Sequence, residues 1–137
     1  MATPLPLPQL LDEWHRWADW VSTEPRDETM ASERIGWHEF DWAVQDYPEL
    51  AWEAIVAAID QPRMEAHLGL LAAGPLEDLL SKHGAAFIDR VEALARANAK
   101  FAWVLGGVWQ HTMPEPLWLR VQAVRDRRGW DAAPQST

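Results

Sequence analysis

Apolar residues recur along this chain at spacings of three and four, with no stretch showing the alternation of a half-buried strand, so the pattern predicts an all-α protein. The clearest phrase runs from Leu68 to Gly84, LGLLAAGPLEDLLSKHG. Gly74 reads as a helix end and Pro75 as the first residue of the next helix, where its fixed φ suits the geometry and its missing N–H costs nothing. Glu77 lies three residues beyond Gly74, within reach of the unpaired first-turn amides, and Asp78 adds charge that favours the positive end of the dipole. Leu76, Leu79 and Leu80 form an i, i+3, i+4 stripe, and Gly84 supplies the stop.

The same reading extends along the rest of the chain. Residues 1–8, with Pro4, Pro6 and Pro8 alternating with Leu, predict an extended polyproline-like arm. Leu10 to Val21 is a helix with Leu10, Trp14, Trp17 and Val21 inward and Trp20 off the stripe. Residues 22–34 are polar and aperiodic, which predicts a loop. A short helix carries Trp37, Phe40, Trp42 and Val44. Asp46 and Glu49 then cap a helix to about Asp60, with Ala51, Ala54, Ile55, Ala58 and Ile59 inward. Pro62 to Ala72 reads as a helix through Met64, Leu68 and Leu71. Gly84 to Ala97 follows, with Phe87, Ile88, Val91, Leu94 and Ala95 inward. Asn98 caps a helix through Trp109, in which Gly106 and Gly107 cost about 1 kcal/mol each against Ala and imply close approach of a neighbouring helix or, as the alternative, contact with a ligand. Pro116 to Arg128 is the last helix, before a frayed tail over 129–137.

This pattern predicts seven to eight short helices in antiparallel pairs over residues 9–128. The expected fold is a single-domain helical bundle or a short HEAT-like α-solenoid. An internal echo favours the repeat form: Pro48-Glu49-x-x-Trp52-x-x-Ile55 returns as Pro114-Glu115-x-x-Trp118-x-x-Val121.

The GPLEDLL phrase, His83-Gly84, the helix bearing Ile88, Val91 and Glu92, then Val104-Leu105 and Val108-Trp109, together resemble a bacterial domain-of-unknown-function family, number 6869. The resemblance spans about Pro48 to Val124. It implies no activity, because that family has no assigned function.

A chain of 137 residues is long enough to bury roughly two thirds of its unfolded surface in one core. No apolar run approaches the ~18 residues of a membrane span, and the first ten residues lack the form of a signal peptide, so a cytoplasmic protein is expected. With no cysteine, disulfides and thiolate chemistry are excluded. The net charge of −9 is unevenly spread: residues 1–60 hold 13 acids against 3 Arg, residues 61–137 hold 8 against 9 Lys or Arg. An acidic surface repels phosphate backbones and steers basic partners, or is simply solvated.

No nucleotide-binding, zinc-protease or nucleophile-elbow signature is present. His15, His38, His67, His83 and His111 stand on separate predicted elements, and neither metal nor cofactor is expected. Glu39 and Asp41 do not share a helical face, so they are not a general acid–base pair. Arg120, Arg125, Arg127 and Arg128 read as cations complementing a helix C-terminus rather than as a phosphate site. The excess is in tryptophan, with ten residues. Trp52, Trp103, Trp109 and Trp118 are expected in the core.

The expected function is a non-catalytic protein-interaction module, in its sharpest form a toxin-neutralising immunity protein. It would meet a basic partner through Asp12, Glu13, Trp14, Asp19, Trp20, Trp37, Glu39 and Asp41, aromatics and carboxylates acting together. The alternative is a small-ligand binder or enzyme with a pocket between helices at His83, Trp103 and Trp109. A third reading is a homo-oligomer formed by exchange of the Trp14 helix.

Overall fold

The computed structural model describes residues 2–23 and 34–130, so most of the predicted loop at 22–34 and most of the predicted tail lie outside the described residues. Every regular element among the described residues is helical: α1 Leu7–Ser22, α2 Ile35–Asp46, α3 Pro48–Ile59, a 3₁₀ segment Pro62–His67, α4 Leu68–Leu71, a π segment Ala72–Leu76, α5 Glu77–Ala97, α6 Ala99–Leu105 and α7 Glu115–Val124. The chain divides into two compact units, Met1–Leu70 and Leu71–Thr137.

In the first unit, α1 packs on α2, α3 and the 3₁₀ segment. The helix starts at Leu7 rather than after Pro8, because Pro8 is pre-organised for a first turn. Its inner side is Leu10, Leu11, Trp14 and Ala18, and Trp14 meets Phe40 of α2 edge-on at 6.0 Å. Trp20, expected off the stripe, is also buried, and the Arg34 guanidinium lies 5.0 Å from its ring centroid. The two helices come together at Gly36, where a methyl group would overlap the backbone carbonyl of Glu13. The α3 face Ala51, Ala54, Ile55, Ala58 and Ile59 is buried as its spacing predicts. Asp46 does not cap α3; its carboxylate accepts from Trp42 Nε1 at 2.9 Å, and the α3 N-cap is Tyr47.

The second unit corrects the predicted break. Pro75 does not open a helix but sits inside a π turn, and the chain runs through it into α5. A proline lacks the amide for an i→i−4 bond and crowds that carbonyl, and a wider turn relieves both. Leu76, Leu79 and Leu80 are fully buried, as the stripe predicts. Gly84 is no stop either: the interruption is at His83, with φ −132° and ψ 19°, and the helix resumes. Gly84 instead faces Leu117, the close neighbour on α7. Asn98 caps α6 as expected, its side chain accepting from the Phe101 amide at 3.0 Å.

The Gly106–Gly107 pair ends α6 and receives the segment after α7, not another helix. A methyl at Gly106 would overlap the Asp126 carbonyl, and one at Gly107 would meet the Trp130 ring. Trp130 stacks on Trp103 with ring centroids 4.6 Å apart and donates from Nε1 to the Trp103 carbonyl at 2.7 Å. Trp103 Nε1 in turn donates to the Arg128 carbonyl at 3.0 Å. Gly129, at φ +88°, makes the turn that brings Trp130 back. The predicted fraying at 129 therefore does not reach Gly129 or Trp130. The arginines are spent locally: Arg120 holds Asp89 and Glu92 across α5 and α7, and Arg128 holds Asp126.

Gly36→Ala is expected to destabilise the protein by about 1–3 kcal/mol through overpacking. Gly69→Ala, where an added methyl meets nothing within 4 Å, should be neutral or stabilising by up to about 1 kcal/mol; urea unfolding of the pair checks both. The Asp126 carboxyl is lowered from 3.8 to about 2, first by its side-chain hydrogen bond with Arg128 and then by the Arg128 amide. A depressed carboxylate contributes its stability in full above the unfolded value and loses it as pH falls through the folded one. The Trp130 indole N–H resonance should therefore be unchanged from about pH 7 to about pH 4 and move as the pH falls from there through about 2.

Candidate functional site

The residues expected to meet a partner lie in the first unit, and they divide by environment. Trp14 and Trp20 are buried and take no part in a free surface. The carboxylate of Asp12 pairs with Arg63 at 2.7 Å. Glu13, Glu39 and Asp41 are half-buried, and Asp41 accepts from Gln45 Nε2 at 2.8 Å. Two large apolar side chains at the start of α2 remain open: Ile35 is 48% and Trp37 43% exposed. Trp37 stands edge-on to His38 at 5.0 Å, and Trp17, Arg34, Trp37 and His38 line an open groove of about 330 Å³.

The opposite side of α1 carries a different arrangement. His15 and Asp19 are one turn apart on the same face, and the 3₁₀ segment brings His67 against them. His67 Nε2 lies 2.6 Å from Asp19 Oδ1, His15 Nε2 lies 3.6 Å from Asp19 Oδ2, and the two imidazole centroids are 5.6 Å apart. His67 is 5% exposed, and its Nδ1 is buried without a hydrogen bond. The Asp19 side chain, at 59%, is open to solvent.

The histidines are thus not all isolated, and two of the five converge. The His15-x-x-x-Asp19 spacing was available as a signal in the sequence. The position of His67 was not, because a helix over Pro62 to Ala72 would have turned it through a different angle than the tighter 3₁₀ geometry does.

The residues proposed for an interhelical pocket lie in the second unit. Trp103 is covered by Trp130, and Trp109 is 63% exposed with the Arg127 guanidinium 5.3 Å from its ring centroid. Glu77, rather than reaching back to its own first turn, accepts from the Trp109 amide at 2.9 Å. His83 sits at the α5 kink with Nε2 buried and unpaired. Of the tryptophans expected in the core, Trp118 is buried, Trp52 and Trp103 are half-buried and Trp109 is at the surface.

The sequence profile described as "Family of unknown function (DUF6869)" matches residues 25–129. The chain belongs to this family. The match covers more of the chain than the motifs alone carried, taking in α2, and it begins after α1, so His15 and Asp19 lie outside it and His67 inside. No curated protein and no solved structure matches the chain at a significant level. No helix among the described residues is long and apolar enough to cross a membrane.

Because Arg63 and Asp12 are both well exposed, Arg63→Ala should cost no more than about 1 kcal/mol. His67 is 5% exposed, so His67→Ala should cost about 2 kcal/mol or more through the cavity it leaves. Thermal unfolding of the two variants side by side distinguishes them.

Proposed function

We propose that the first unit is a protein-interaction module whose anchor is the Ile35–Trp37 turn of α2. The observation that carries this reading is the exposure of two large apolar side chains, Ile35 and Trp37, on one turn beside a groove. Interface energy concentrates in residues of this kind, tryptophan above all, when a partner can bury them. The groove walled by Trp17 and Trp37 suits an inserted side chain, and the acidic excess of residues 1–60 favours a partner with a basic surface. A toxin-neutralising role is the sharpest form of this proposal, drawn by analogy of size, charge and helical fold.

The test is capture of a partner from the native host's lysate on immobilised protein, at low and high salt, with wild type and Trp37→Ala in parallel. Trp37 is partly covered, so Trp37→Ala should cost about 1–2 kcal/mol of stability while keeping the fold, which thermal unfolding of the variant checks. The reading expects a basic protein retained by wild type at low salt, released at high salt, and weakened at least about tenfold by the substitution, the loss of a 1.4 kcal/mol contact. Equal retention by the variant, or retention indifferent to salt, would contradict it.

A further inference from the structure

Two imidazoles and one carboxylate meet on the side of α1 that faces away from Trp17. One imidazole nitrogen from each of His15 and His67 and one carboxylate oxygen of Asp19 all lie within 4.8 Å of one another. We propose that His15, Asp19 and His67 bind one divalent transition-metal ion of the zinc class. This assignment stands on the polar side of α1 and is independent of the partner surface at Trp37.

Bonds of about 2.0–2.2 Å from such an ion to nitrogen and oxygen place its ligands roughly 3–3.5 Å apart. The two separations, 2.6 Å from Asp19 Oδ1 to His67 and 3.6 Å from Asp19 Oδ2 to His15, fall on either side of that range. Entry of the ion replaces the Asp19–His67 hydrogen bond and draws His15 inward. The two side chains that must adjust have room to do so: Asp19 is mostly exposed and His15 partly so, while His67, on the 3₁₀ segment, is the fixed ligand. Two residues one turn apart on a helix and a third from a neighbouring element make a rigid, low-entropy donor set.

The donor chemistry selects the ion. Two neutral nitrogens with one carboxylate suit Zn(II), Co(II) or Ni(II); Mg(II) and Ca(II) prefer oxygen ligands, and the thiolates favoured by Cu(I) are absent from this cysteine-free chain. Three protein ligands leave the remaining positions to solvent on the open Asp19 side, the form of an open rather than a closed site. The acidic charge of the same unit raises the local concentration of cations. One feature limits the affinity. A metal on Nε2 leaves the proton on Nδ1 of His67, which has no acceptor in the structure, and a missing second partner costs about 10–100-fold in metal affinity.

The test uses the untagged full chain titrated with zinc chloride against a chromophoric chelator, followed by thermal unfolding with and without the ion. Expected are one zinc bound per chain, a higher Tm with zinc, and at least about tenfold weaker binding in His15→Ala, with the Tm rise lost. His15 is partly exposed, so this variant keeps the fold; Asp19→Asn, changed at an exposed position, is the second variant and should weaken binding likewise. Absence of zinc binding by the wild type, unchanged affinity in both variants, or displacement of zinc by equimolar magnesium would overturn the assignment and leave Asp19 as a hydrogen-bond acceptor that ties the 3₁₀ segment to α1.

Discussion

Packing of α1 on α2 at Gly36 is the contact on which the first unit depends. With a hydrogen in place of a side chain, the start of α2 reaches the Glu13 carbonyl, and Trp14 then lies edge-on against Phe40 with its ring fully buried. That contact sets the rotation of α1. Leu10, Leu11, Trp14 and Ala18 turn inward, Trp17 is left at the groove, and His15 and Asp19 face the 3₁₀ segment. Both proposed sites are therefore consequences of one helix held in one orientation. The second unit uses the same device at Gly106 and Gly107, where the absence of side chains lets Asp126 and Trp130 close over the end of α6.

Much of this was legible from periodicity. The all-helical class follows from the i, i+3, i+4 pattern, and the buried faces of α3 and α5 match their stripes nearly residue for residue, because burial on a regular helix is set by angle alone. The Asn98 cap was equally readable, since the residue type and the first-turn amide it serves are local. Local grammar failed where a tertiary contact outweighed it. Gly74-Pro75 has the form of a boundary, yet the chain widens into a π turn and continues; Gly84 has the form of a stop, yet Leu117 explains it better. Arg120 on α7 and Arg127 and Arg128 after it look like dipole complements but serve Asp89 and Glu92, the Gly106 carbonyl, and Asp126 respectively. None of those partners is close in sequence except Asp126.

The site was less legible, for a related reason. The acidic and aromatic content of the first part of the chain is plain in its composition, but composition does not say which tryptophans are covered, and Trp14 and Trp20 proved to be so while Trp37 did not. His15 and Asp19 share a face in any helical reading. His67 joins them only because Pro62–His67 winds as a 3₁₀ helix against α1. A contact across 48 residues between a helix and an irregular segment has no sequence period to reveal it. Membership of a family without an assigned function leaves the chemistry of the donors and the exposure of the aromatics to carry the functional reading.

Native-state hydrogen exchange over α1 tests the central claim most directly, because everything proposed for the first unit requires that helix to be held by its buried side. Amides from Leu11 to Ala18 should exchange among the slowest in the unit, together with those of α2 around Phe40, as one cooperative element. Exchange of α1 at rates typical of a frayed terminus, with α2 and α3 still protected, would contradict the account: α1 would then be an appendage, and neither the groove at Trp37 nor the His15–Asp19–His67 cluster would be a formed site.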